Sequence, residues 1–456
     1  MVDPRFSTLV EQMRAGVIDR RTFLTRAAAL GISSAAIMRG LPVAAQDSTP
    51  EASSGGSDEL TPENLGMAGV EHSTDTSKGE IKLYSSWPMS GASEQIGGDS
   101  AEAVKFAVEI WGNAAGGFAI TYEALDDGLA ANNGAWDAAK EAENASRVVN
   151  DENAVAYIAT YNSGAAEAAI PITNEAGLAQ ISPANTAVQL TKENPANPPG
   201  YPDVLYPSGK RNYMRVVPAD DLQGAAGANF AFNTLGAKKA YVIHDQQTYG
   251  RGLAEVFQTT FKELGGEVAG FEGFDANAPE YQALMTKIAN AAPDLLYLGA
   301  IVNLNASKLL QDMRNIMSPD DVAFMGPDGL VNQAFIDGAG DAAEGALITF
   351  AGLPANQLQG VGKTWYEQFK ARLGHEPDAY ALYSFEAAVV ALQAIDAVGE
   401  KDRAKILDAM MATKEFRGLI GTWSFTETGD TDSTTVSVNN VKDGVITFQE
   451  TITPPQ

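Results

Sequence analysis

A chain of 456 residues with 45% apolar content is long enough to bury more than one core, and the length suits two domains better than one. It has no cysteine, which excludes disulfides, thiolate metal sites, a cysteine nucleophile and the cysteine that tethers an exported bacterial lipoprotein. Of the formal charge of −27, residues 1–45 contribute +3 (six arginines against three acids), so residues from 46 onward carry −30, a field that repels nucleic acid and anionic lipid but leaves a local pocket free to have any polarity.

The first 45 residues read as an address. Asp19-Arg20-Arg21-Thr22-Phe23-Leu24 resembles a twin-arginine export signal, the apolar run 27–38 has the length of a signal core, and Val43-Ala44-Ala45 offers small residues for cleavage before Gln46. The chain is therefore expected outside the cytoplasm, periplasmic or at the cell surface or beyond, and free unless the signal segment stays uncleaved as an anchor. Residues 46–79 are rich in Ser, Thr, Gly, Glu and Pro and are expected to form a disordered tether. After residue 45 no stretch approaches the roughly 20 apolar residues that span a bilayer.

The fold is expected to begin at Glu80. A strand at 81–86 feeds the turn Trp87-Pro88-Met89-Ser90-Gly91 and a helix at 93–111; a strand at 118–125 ends in Asp126-Asp127-Gly128, and a helix follows at 135–150. The next unit organises the rest. The apolar run 154–159 is a buried parallel strand, Asn162 or Ser163 caps an alanine-rich helix at 165–176, and 178–182 is a second strand closed by Pro183-Ala184-Asn185-Thr186. Hydroxyls and amides thus gather at the carboxyl ends of two strands, where open α/β sheets bind ligands, and the free N–H groups of the helix start favour a carboxylate or phosphate. The same residues also serve as ordinary helix and turn caps, and the local pattern does not decide between the two.

The segment 190–215, with five prolines and several tyrosines, breaks the rhythm. Alternation then resumes: helices at 222–235, 249–264, 281–291 and 304–317 between strands at 240–244, 267–271, 295–299 and 322–325. A crossover strand at 346–351, helices at 362–373, 379–398 and 401–411, and a terminal antiparallel patch at 422–425, 434–439 and 445–451 complete the chain. This pattern predicts an α/β protein of two doubly wound parallel-sheet lobes joined by crossover hinge segments. Residues 80–215 plus 350–420 form the first lobe and 216–349 plus 421–456 the second.

Catalytic and metal motifs are weak. Gly360-Val361-Gly362-Lys363-Thr364 lacks the leading glycine of a phosphate loop, because position 357 is Gln357, and none of His72, His244 and His375 has metal-ligand spacing. His244-Asp245 could be drawn as a dyad and Asp126-Asp127 as an acid–base pair, but strand-end and turn roles suit both better. No cofactor, metal or catalytic set is expected. Tyr161, Trp87 and Tyr249, as turn residues, are expected to line a cleft.

Several stretches resemble the type I periplasmic solute-binding proteins of ABC importers, specifically the leucine/isoleucine/valine-binding family. They are Met89-Ser90-Gly91, Ile181-Ser182-Pro183-Ala184-Asn185-Thr186, the turn from His244 to Gly250, Phe324-Met325-Gly326-Pro327-Asp328-Gly329, and the turn from Gly340 to Gly345, in family order. The resemblance implies a two-lobed protein that captures a small amino-acid-like ligand and delivers it to a membrane permease, the alternatives being a sensing subunit for a receptor or an exported enzyme on a similar substrate; a monomer is expected. Carried over by position, Ser163 with nearby N–H groups binds carboxylate, Ala184 by backbone and Thr186 by hydroxyl meet the zwitterion, Tyr249 approaches from the other lobe, and Asp328 pairs with ammonium. Asn162, Trp87, Ile96 and Ile301 are further ligand-binding candidates: Ile96 stands where an aromatic residue near the side-chain pocket is usual, Ile301 where a second-lobe tyrosine is usual, and Trp87 adds bulk at a position often small, which leaves the identity of the side chain open.

Overall fold

Two parallel sheets organise the chain in the computed structural model, which describes residues 58–194 and 197–455. In the first lobe β1 (Glu80–Trp87), β2 (Ala114–Ala115) and β3 (Phe118–Asp126) are followed by a short hairpin, β4 (Gly128–Leu129) and β5 (Ala135–Trp136), and then by β6 (Ala154–Ala159), β7 (Ala179–Ser182) and β8 (Tyr213–Arg215). The sheet runs in the order β2-β3-β1-β6-β7-β8, parallel throughout except for the edge pair β2–β3. The chain therefore winds outward in both directions from β1, and the switch falls between β1 and β6. Every residue of β6 is buried, as a strand covered on both faces must be. Helices Glu94–Ile110 and Ala381–Val398 cover one face, and Ala138–Val149 and Ser163–Glu175 the other.

The second lobe repeats the plan with β9 (Lys239–His244), β10 (Glu267–Gly273), β11 (Leu295–Gly299), β12 (Ala323–Gly326) and β13 (Leu347–Phe350), ordered β10-β9-β11-β12-β13 and all parallel. A small hairpin, β14 (Phe416–Gly418) with β15 (Gly421–Trp423), stands apart, while β16 (Val436–Lys442), antiparallel to β13, and β17 (Val445–Ile452), antiparallel to β16, extend the second sheet. The terminal strands are thus antiparallel as expected, but they do not form one patch. Phe416, Trp423 and Phe425 pack into the core of the first lobe. The last crossover therefore lies beyond residue 425 and not at 420/421, because these three aromatic side chains find their apolar partners there.

Two further expectations need correction. Of the segment 46–79, residues 58–79 are not a tether but lie on the first lobe. Leu60 and Leu65 enter its core, Gly66 and Arg417 exchange backbone hydrogen bonds of 2.9 and 3.1 Å, and Met67 does the same with the Gln393 amide at 2.8 and 2.9 Å. Two leucines and a backbone bridge anchor a segment whose average composition is polar. The signal region 1–45 and residues 46–57 fall outside the described residues. The helix Ala381–Val398, second, is long and apolar enough to cross a bilayer, yet 83% of it is buried as the central helix of the first lobe.

A buried ion pair ties the crossovers together. Arg215, at the end of β8, donates from Nε to Asp430 Oδ1 at 2.6 Å and from Nη1 to the carbonyls of Ala187 and Asn185 at 2.8 and 3.2 Å. Thr191 and Thr428 add hydroxyl hydrogen bonds to the same carboxylate, so both charges keep polar partners away from water.

Candidate functional site

The carboxyl ends of β6 and β7 in one lobe and of β9, β11 and β12 in the other open onto one cleft. On the first-lobe side the helix Ser163–Glu175 starts at its edge. Asn162 is extended and makes no side-chain cap, and the first helical hydrogen bond runs from Ala166 N–H to Asn162 C=O at 3.1 Å. The N–H groups of Ser163, Gly164 and Ala165 therefore have no acceptor within the helix, and the dipole adds positive potential. Ser163 Oγ accepts from Ala187 N–H at 3.3 Å, which leaves its own proton to donate. Ala184 sits in a turn folded around Ser182 Oγ, which accepts from Ala184 and Asn185 N–H at 3.1 and 2.9 Å. This jaw offers donors.

The facing jaw offers acceptors. Asp328, just after β12, accepts at Oδ1 from Gln223 Nε2 and from Tyr249 Oη, both at 2.5 Å, and at Oδ2 from Tyr380 Oη. Tyr249 Oη in turn accepts from Gly329 N–H at 2.9 Å. Burial raises the Asp328 carboxyl above its ordinary range, against the pull of these three donors. Behind it lies Asp220, fully buried; burial first, and then the Asp328 charge, pushes it well above the usual carboxylate range against the pull of the Thr186 hydroxyl and Arg215. Two acids thus lie close together away from water, and Asp328 is the one of the two that lines the cleft, where an ammonium would meet it.

The jaws are shut. Tyr380 belongs to the first lobe and Asp328 to the second, so their hydrogen bond crosses the cleft, as do Thr248 Oγ1 to Glu167 Oε2 at 3.0 Å and Asn303 Nδ2 to Ser93 Oγ at 3.0 Å. Ser163 and Asp328 retain only 3% and 4% of their exposure, which removes most of the water that would screen charges held there.

Of the nine residues expected from the sequence, Asn162, Ser163, Ala184, Tyr249, Ile301 and Asp328 line this one cleft. Thr186, Trp87 and Ile96 do not. Thr186 is buried behind the wall, where its carbonyl accepts from Asp220 N–H at 2.8 Å; the turn is pinned there by Arg215. Strand alternation sends Ser86 to Glu141 on one face and Trp87 into the core of the first lobe on the other. Ile96 is buried in the first turn of Glu94–Ile110, away from the lining. Tyr161 does reach the cleft, edge-on to Tyr380 with 5.3 Å between ring centroids.

Sequence reading missed Tyr380, Trp136, Gln247, Asp220 and Gln223. Trp136 fell inside an expected helix at 135–150, whereas the structure makes it the end of β5 and starts the helix at Ala138. Asp220 and Gln223 open the first helix after the first crossover, a position that could have marked them. The described part of the segment 190–215 packs on itself and on the helix Ser163–Glu175: Tyr206 Oη donates to Leu190 C=O at 2.6 Å, Arg211 lies 4.1 Å over the Tyr206 ring, and Leu205 and Tyr206 cluster with Ala166 and Ile170.

The weighed catalytic pairs have structural partners. Burial drives His244 down to about 4, and its Nδ1 accepts from Gln246 N–H at 3.1 Å. Asp245, pushed up to about 7 by burial, caps Gln247 N–H at 2.9 Å instead of meeting the imidazole. Asp126 accepts from Met89 and Gly128 N–H at 2.9 and 2.8 Å and pairs with Lys140 at 3.2 Å. Among the described residues no group of three His, Cys, Asp or Glu side chains could hold a metal.

Two doubly wound lobes that shut over a pocket with donors on one jaw and acids on the other define a clamshell ligand-binding protein. The chain belongs to the periplasmic binding protein family, whose model matches residues 80–444. It is similar to an amino acid binding protein of Pseudomonas aeruginosa, 31% identical over 57% of this chain and 65% of that one. A leucine-, isoleucine-, valine-, threonine- and alanine-binding protein of the same organism is 28% identical over 80% of this chain and 90% of its own length. In structure the chain resembles a leucine-binding protein, LivK, of Thermotoga maritima, with a TM-score of 0.71 at 28% identity, covering 82% of this chain and 99% of that one.

Proposed function

We propose that this protein captures an α-amino acid between its lobes outside the cytoplasm and hands it to the membrane permease of an ABC importer. The observation that carries the reading is the placement of Ser163 and Asp328 in one closed cleft: a helix start and a hydroxyl face a buried carboxylate held by Gln223, Tyr249 and Tyr380. A carboxylate ligand meets free N–H donors at the first lobe, and an ammonium meets Asp328, with Asp220 behind it, at the second. One jaw offers donors and the other a carboxylate. A zwitterion satisfies both and bridges the lobes, so binding and closure are coupled. Relatives whose names state amino-acid binding support this reading. In the same account Arg20-Arg21 direct export, the chain works as a monomer, and its shut form is the one that the permease accepts.

Titration calorimetry of the purified chain against the twenty amino acids tests the proposal. At least one should bind with micromolar or tighter affinity and raise the melting temperature, since a ligand that binds only the folded state stabilises it. A panel without any bound amino acid would refute it, and turnover of an amino-acid or amide substrate in the same samples would replace it with an enzymatic role.

A further inference from the structure

Resting on the amino-acid reading above, the cleft also speaks to the size of the side chain it admits. Trp136 ends the hairpin β4–β5, which leaves β3 and turns back over the cleft. The hairpin is seated tightly: Ala92 N–H bonds Asn133 C=O at 3.1 Å, and Gly134 has a φ of +78° with Ser90 C=O so close that no Cβ would fit. Its placement is therefore fixed by backbone contacts. The indole packs against the helix start that presents the anion-binding N–H groups, where two of its six-membered-ring carbons lie 2.5 Å from the point a Cβ on Gly164 would occupy. Across the cleft the same side chain packs against the second-lobe cluster that holds Tyr249 and Ile301.

Trp136 thus stands between the jaws directly beside the head-group position. The free space that remains in the cleft is about 30 Å³. By comparison, a protein cavity that takes up benzene measures roughly 150 Å³. Any ligand must part the jaws a little, and every side-chain atom beyond those of alanine or serine must displace the indole or widen the gap further, at the expense of the cross-lobe hydrogen bonds of Tyr380, Thr248 and Asn303.

We infer that the ligand is a small amino acid with a side chain no larger than that of alanine or serine, and that Trp136 is the residue that excludes branched-chain and aromatic side chains. Excluding leucine requires no new polar contact. It follows from a large, backbone-seated ring occupying the space that a longer side chain needs.

The test is calorimetry on the full chain with glycine, alanine, serine, leucine, isoleucine and phenylalanine, and with acetamide and urea. The wild type should prefer a member of the first three over leucine by at least about tenfold, within the range that a few methylene groups confer in a fitted pocket. In Trp136→Ala the ratio of leucine to alanine affinity should rise by about tenfold or more, and in Trp136→Leu by an intermediate amount. Ratios within one variant are insensitive to its overall stability, and Trp136→Leu serves if Trp136→Ala folds poorly. Leucine binding as tightly as alanine in the wild type, or an unchanged ratio in both variants, would overturn the inference while leaving the amino-acid reading intact. Capture of acetamide or urea with no amino acid bound would overturn the amino-acid reading itself.

Discussion

Asp127→Asn should change how folding stability depends on pH. Asp127 closes β3 and is fully buried with neither carboxylate oxygen hydrogen-bonded within the protein; nearby lie Glu141, Asp126, Asp137 and Lys140. Glu141, also buried, accepts from Ser86 Oγ and Tyr157 Oη at 2.5 and 2.8 Å. Burial, and then the negative charge of Asp126, pushes Asp127 up to about 8 from 3.8. A raised folded-state value means that the folded chain holds this proton more tightly than the unfolded chain does. Its contribution is fully present below about pH 4 and is lost as pH rises through about 8. Roughly four pH units at 1.36 kcal/mol each set an upper bound of about 6 kcal/mol on the loss at alkaline pH. Asparagine has nearly the same shape and cannot ionise, but its amide N–H₂ has no ready acceptor, a cost of about 1–3 kcal/mol. Urea denaturation from pH 4 to pH 9 should therefore give crossing curves: the variant is the weaker protein at pH 4 and the stronger by up to about 3–5 kcal/mol at pH 9. Parallel curves would show that Asp127 does not hold a proton in the folded state.

Other consequences follow from the hinge, the docked segment and the cleft. Arg215→Ala strips Asp430 of its buried partner and should cost about 3–5 kcal/mol in urea unfolding, with Arg215→Lys recovering only part of it because the carbonyls of Asn185 and Ala187 lose their fork of donors. Leu65→Ala should lower stability by about 2–4 kcal/mol if residues 58–79 are integral to the first lobe; unaltered stability would mean that the segment contributes nothing. Thr248→Val removes one hydrogen bond that only the shut form makes, so ligand affinity should fall by roughly three- to tenfold with little change in the melting temperature of the free protein. An equal loss of stability without ligand would argue against a role in closure.

The two-lobed architecture was legible because buried parallel strands such as 154–159 are short apolar runs and each is followed by a helix with a recognisable start. Ser163 was legible because it stands where a strand ends and a helix starts, whereas Tyr249 and Asp328 were marked as ligand contacts by the resemblance to the solute-binding family. Tyr380 was not, because it precedes a helix more than fifty residues from Asp328 in sequence, and nothing local signals a hydrogen bond that exists only when two lobes meet. Trp136 was hidden by its neighbours, since Ala135-Trp136-Asp137-Ala138 reads as helix unless the preceding glycine's positive φ is known. Trp87 was misplaced because a turn residue was expected to face the cleft, when strand pleating carries its side chain to the opposite face. The docked segment 58–79 shows the limit of composition: a polar average says little when two leucines and one backbone bridge supply the contacts.

The account rests on a cleft that binds both ends of a zwitterion. Calorimetric comparison of alanine with propionate, which lacks the ammonium, and with ethylamine, which lacks the carboxylate, tests it most directly, alongside Asp328→Asn. Alanine should bind, each one-ended analogue should bind at least about 100-fold more weakly, and Asp328→Asn should weaken alanine by a similar factor, as loss of a charge-assisted contact in a buried site requires. Propionate binding as tightly as alanine, or an Asp328→Asn variant with unchanged affinity, would contradict the assignment of opposite charges to the two jaws.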